Sequence, residues 1–61
     1  MQWKVYFADH QREVFSSHNT ELEALEQADK RLRDGYRVRI EGPNGEHFDE
    51  HNIKTWWEMH P

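Results

Sequence analysis

Large apolar residues alternate from the start of the chain. Trp3, Val5 and Phe7 are separated by Lys4, Tyr6 and Ala8, the period of a half-buried β-strand. Asp9-His10-Gln11 interrupts the pattern as a turn, and residues 12–17 resume it around Val14 and Phe15. The connection is short, so the two segments pair as an antiparallel hairpin. Either Val14 or Phe15 can point inward, because a register slip of one residue exchanges the two faces.

The period then changes. Leu22, Leu25, Ala28 and Leu32 recur at helical spacing. Thr20-Glu21-Leu22-Glu23 has the form of a capping box, in which the Thr20 hydroxyl accepts from the Glu23 amide and the Glu23 carboxylate reaches back to the Thr20 amide. Glu21, Glu23 and Glu26 stand early in this helix and Lys30, Arg31 and Arg33 late, which complements the helix dipole at both ends. Gly35 marks the stop.

Alternation returns in residues 36–41, with Tyr36, Val38 and Ile40 on one face and Arg37, Arg39 and Glu41 on the other. Gly42-Pro43-Asn44-Gly45 supplies a turn, and residues 46–49 return as a strand with Phe48 inward. The tail fits two periods. Ile53, Trp56 and Trp57 share a helical face, while Ile53, Thr55, Trp57 and Met59 alternate like a strand; Lys54 and Glu58, four apart, favour the helix. The expected fold is a single α+β domain over residues 1–61, two layers deep, with one helix packed on a four-stranded antiparallel sheet in the order ββαββ and a short C-terminal helix or strand.

Composition narrows the functional classes. The 61 residues include no cysteine, which closes thiol, disulfide and zinc-thiolate chemistry and agrees with a cytoplasmic setting. No stretch approaches the roughly 20 apolar residues of a membrane span, and the first residues do not read as a secretory signal. Eight Lys and Arg against twelve Asp and Glu leave a net charge of −4, which argues against general nucleic-acid binding. Basic residues nevertheless cluster at 30–39 and acidic residues follow from Glu41 onward.

Four constellations could carry function. His47, Asp49 and His51 stand at alternate positions, so on an extended strand all three would project to one side as a ligand set for a divalent metal, and a small metal-dependent enzyme is one reading. Ser16-Ser17-His18 places a hydroxyl beside an imidazole, but neighbouring side chains on a strand diverge and no orienting carboxylate accompanies them. Lys4, Tyr6, Arg37 and Arg39 fall on the sheet face that a single helix leaves open, the mixture of aromatic and cation with which single-stranded nucleic acid is held. Trp56 and Trp57 are adjacent and cannot both be fully buried in one small core. Trp56, nearer Ile53 in helical spacing, is expected in the core, and Trp57 outward as a contact residue.

The run Thr20-x-x-Glu23-Ala24, Ala28, Gly35-x-x-Val38-x-Ile40 and Gly42-x-x-Gly45 resembles short bacterial proteins of unknown function with the same order of strand pair, capped helix and Gly-turn hairpin. The resemblance covers residues 3–48 and implies a fold, without an activity or a site.

The sequence therefore points to a binding module more than to an enzyme, with no cofactor. Its partner would be another protein or a second copy of itself, met through Trp56, Trp57, Tyr6, Arg37 and Arg39. Single-stranded nucleic-acid binding through Lys4, Tyr6, Arg37 and Arg39, metal-dependent catalysis, and an acidic inhibitor of a nucleic-acid-binding protein are the alternatives.

Overall fold

A computed structural model describes residues 2–60. The chain forms β1 (Trp3–Ala8), β2 (Glu13–His18), α1 (Glu21–Arg33), β3 (Arg37–Glu41), β4 (His47–Phe48) and α2 (Glu50–Met59). All strand pairs are antiparallel, in the order β2-β1-β3-β4, and the two helices pack against each other on one face of the sheet. The expected α+β architecture is present, and the tail is helical.

The first turn sets the register. Asp9 Oδ1 accepts from the backbone N–H groups of Gln11 at 2.8 Å and Arg12 at 3.1 Å, and the Asp9 amide donates to the Arg12 carbonyl at 3.2 Å. From this closure Ala8 pairs with Glu13, Phe7 with Val14 and Tyr6 with Phe15. Opposed residues share a face. Val14 is therefore on the helix side with Phe7 and Val5, and Phe15 is on the open side with Tyr6.

The helix α1 begins where expected, with the Thr20 hydroxyl accepting from the Glu23 amide at 3.1 Å. The reciprocal half of the box differs. The Glu23 carboxylate accepts the Thr20 hydroxyl proton at 3.1 Å and makes no bond to the Thr20 amide. At the other end Gly35, at φ +92°, donates to the Leu32 carbonyl and Tyr36 donates to the Arg31 carbonyl, the paired bonds that close a helix on a left-handed residue. Leu22 does not join the core and is 52% exposed. The buried positions are Ala24, Leu25 and Ala28. At about 100° per residue, Leu22 lies on the far side of Leu25 from the two alanines, whose small side chains define the contact stripe.

The core comprises Val5, Ala24, Leu25, Ala28, Val38, Ile40 and Ile53. Trp3, Phe7, Leu32, Tyr36, Phe48, Trp56 and Trp57 pack around it, half-buried. The Trp3 ring lies so close to the backbone of Gly42 that a Cβ there would come within 2.7 Å of Trp3 Cζ3 and within 2.5 Å of Glu46 Oε1. Gly42 is required by this approach, and Gly45, at φ +86°, by its backbone.

The strand expected over residues 46–49 is only His47–Phe48, because Asp49 begins a helix. Asp49 Oδ1 accepts from the Asn52 amide at 2.8 Å, and Asn52 Oδ1 accepts from the Asp49 amide at 3.1 Å. The complete capping box of the molecule is therefore here. Since β4 pairs only with Ile40 and Glu41, the amide of Val38 finds no strand on that side. Glu50, in the first turn of α2, fills the place: its Oε2 accepts from the Val38 N–H at 2.9 Å.

Glu50→Ala is expected to lose about 1–3 kcal/mol in urea denaturation, since it leaves a partly buried amide without its charged acceptor. Hydrogen exchange at Val38 should accelerate in the same variant, and Glu50→Gln should recover part of both effects. Unchanged Val38 exchange in Glu50→Ala would show that the carboxylate does not close this edge.

Candidate functional site

The helices cover one side of the sheet, and the register arranges the other side in three rows. Phe15, Tyr6 and Arg39 form the central row, with Ser17, Lys4 and Glu41 on one side of it and Glu13, Ala8 and Arg37 on the other. In the central row the Arg39 guanidinium lies 4.0 Å above the Tyr6 ring, and the Tyr6 and Phe15 rings are 5.5 Å apart. Lys4 Nζ stands 5.3 Å from the Phe15 ring centre. Arg39 also bonds the Glu41 carboxylate through Nη1 and meets Glu13 at 3.5 Å through Nη2. Arg39, on the Tyr6 ring and between the carboxylates of Glu13 and Glu41, is the best-anchored cation of this surface.

Five residues expected to serve two different functions, Tyr6, Arg37 and Arg39 for a partner and Asp49 and His51 for a metal, meet beside these rows. An open groove of about 640 Å³ is lined by Tyr6, Arg37 and Arg39 from the sheet and by Asp49, Glu50 and His51 from the start of α2. The strand β4 is too short to separate them. The carboxylates here are already engaged, Asp49 with the Asn52 amide and Glu50 with the Val38 amide. His47, Asp49 and His51 are not brought together as an extended ligand set, because the strand ends at Phe48 and Asp49 and His51 belong to the helical turn. Among the described residues no group of three His, Asp or Glu side chains could hold a metal ion.

Trp56 and Trp57 are both half-buried against the core, so the expected division into an inward Trp56 and an outward Trp57 is absent. Trp57 is half-buried and its indole N–H donates to the Leu25 carbonyl of α1 at 3.3 Å, so it ties the two helices together. Trp56 is also half-buried; it meets Trp57 edge to face at 4.9 Å and stacks on His60 at 4.2 Å. Neither sits on the open face with Tyr6, Arg37 and Arg39, so the contact set expected from sequence divides between opposite sides of the sheet.

Two features are decided by the register of β2. Phe15 is the most exposed aromatic ring on the open face, at 54%, and it stands on the outermost strand. Its hydrophobicity was legible, and its direction was fixed only by the Asp9 turn. Ser16 and His18, two apart and therefore on one face, hydrogen-bond at 2.8 Å between Oγ and Nε2. No carboxylate bonds the imidazole among the described residues, and the pair lies on an edge strand without a cleft, so it has the contact of a nucleophile–base pair without the third group that orients the base.

The two backbone N–H groups that bond Asp9 favour its ionised form and hold its carboxyl below the ordinary aspartate value. A depressed folded-state pKa contributes stability above the unfolded value, and that contribution is lost as pH falls through the folded one. NMR titration should give an Asp9 midpoint below that of an unstructured aspartate, with the Gln11 and Arg12 amides following it. The two aromatic environments should also separate in denaturation. Trp57→Ala is expected to cost about 2–4 kcal/mol and Phe15→Ala less than about 1 kcal/mol; equal losses would mean that Phe15 contributes to the core. No family model matches this chain, and no curated protein or solved structure matches it significantly.

Proposed function

We propose that the protein is a non-enzymatic interaction module that receives a protein partner on the open sheet face and along the outer edge of β2. The observation that carries this reading is Phe15, an exposed aromatic at the end of an ordered row, on a strand whose outer edge has no partner among the described residues. Exposed edges are sites of strand addition, in which backbone bonds supply affinity and alternate side chains supply selectivity. The sequence of β2, Glu-Val-Phe-Ser-Ser-His, has neither the lysine nor the proline with which edges are commonly blocked. Val14, 39% exposed on the opposite face of the same strand, extends the apolar surface to the helix side.

Single-stranded nucleic acid is the weaker reading for the same face. Lys4, Tyr6, Arg37 and Arg39 do lie together there, but Arg39 covers the ring on which a base would stack, and Glu13 and Glu41 neutralise it.

Capture from the native host with tagged protein tests the proposal. Proteins retained by wild type should be lost with Phe15→Lys and kept with His60→Ala, which leaves the sheet untouched. Identical captured sets for wild type and Phe15→Lys would refute it, and salt-sensitive retention of oligonucleotides by wild type would favour the nucleic-acid reading.

A further inference from the structure

The hydrogen-bond phase of β2 determines which of its residues can accept another strand. The Asp9 amide bonds the Arg12 carbonyl, and rungs alternate along an antiparallel ladder. Val14 and Ser16 therefore turn their backbone groups toward β1, and Glu13, Phe15 and Ser17 turn theirs outward. The same three carry their side chains on the open face. An added strand thus meets backbone donors and acceptors spaced around Phe15.

We infer that the strand added here is β2 of a second copy, antiparallel, with the twofold axis at Phe15. This deepens the interaction-module reading and rests on it. In this register Phe15 faces Phe15 of the other copy, and Glu13 faces Ser17 in both directions. The central row then runs without a break as Arg39, Tyr6 and Phe15 of one copy and Phe15, Tyr6 and Arg39 of the other, six side chains across one continuous eight-stranded sheet.

Charge selects this register. A twofold contact sets each residue against its own surface, which commonly opposes like charges. Here Glu13 of one copy stands beyond Ser17 of the other, and Ser17 is directly opposite Lys4. Ser17 is small, so the Lys4 ammonium can extend across it toward the Glu13 carboxylate over two strand spacings, about 10 Å between backbones. Symmetry makes the pair twice. Moving the axis to Ser16 sets Phe15 against Ser17 and carries Glu13 past the end of the strand; moving it to Val14 sets Glu13 against Phe15. Only the axis at Phe15 joins the rings and gives each Glu13 a lysine.

Sedimentation equilibrium of the full chain from roughly ten micromolar to one millimolar reads the association directly. Wild type should show a monomer–dimer equilibrium. Phe15→Lys should weaken it at least about tenfold, since it replaces a stacked ring pair by two facing cations. Lys4→Glu and Glu13→Lys should each weaken dimerisation about threefold or more, and the double variant Lys4→Glu/Glu13→Lys should restore it. These charge variants lie on exposed positions and keep the test valid if Phe15→Lys fails to fold. The double variant Glu13→Cys/Ser17→Cys should cross-link between copies on oxidation, because the two positions lie too far apart within one strand to bridge. A wild type that sediments as monomer throughout, a dimer unaffected by Phe15→Lys, or a double charge variant no better than the single ones overturns the second-copy inference. The module reading survives a monomeric wild type and falls separately, when wild-type and Phe15→Lys baits capture the same proteins.

Discussion

The Glu50 carboxylate joins the sheet to the second helix, and much of the molecule is arranged around that bond. The strand β4 ends after two residues, which would leave the Val38 amide facing a gap in the sheet. Glu50 accepts from it, and the same side chain sits in the first turn of α2, where negative charge is favourable. The bond fixes where α2 begins relative to β3. Ile53 is then directed into the core between the sheet and α1, and Trp57 reaches the Leu25 carbonyl. A chain of this size buries a modest share of its surface, so one such bond has proportionately large influence.

The two sides of the sheet are held by different physics. The helix side is apolar and closed over β1 and β3, with alanines at 24 and 28 that admit close approach and aromatic rings around the rim. The open side is held by cations on rings, Arg39 on Tyr6 and Lys4 near Phe15, with Glu13 and Glu41 as acidic partners of the Arg39 guanidinium. Arg31 makes a comparable contact at the rim, 4.4 Å from the Phe7 ring centre and 6.0 Å from that of Tyr36. Exposed aromatic rings ordered in this way lose little freedom when a partner covers them.

The strands and α1 were legible because each carried agreeing signals. Alternation identified β1 and β3, and Thr20, the acidic first turn, the basic last turn and Gly35 delimited α1. What was not legible depended on a single bond to a distant or neighbouring group. Val14 and Phe15 are both apolar, and only the Asp9 turn decides between them. Asp49 reads equally as a strand ligand between two histidines or as a helix cap, and Asn52 three residues later decides for the cap. Trp57 was expected outward because adjacent indoles diverge, yet half-burial of both, with a carbonyl of α1 in reach, accommodates the pair. The candidate contact face was legible in Tyr6, Arg37 and Arg39 and illegible in Phe15.

The central place of β1 has a consequence for how the chain acquires its structure. Its first partner, β2, is local and can pair as soon as the Asp9 turn closes, whereas its second, β3, arrives only after the whole of α1. During synthesis from the N-terminus the early hairpin therefore presents two open edges, one on each strand, until Arg37–Glu41 emerges and docks. In that interval the edge of β1 carries the same aromatic residues as the finished sheet without the arginine that covers Tyr6, so the hairpin is a stickier species than the native protein. That interval lasts until α1 has been made and β3 docks, so the helix bounded by Thr20 and Gly35 stands between the hairpin and the strand that closes it.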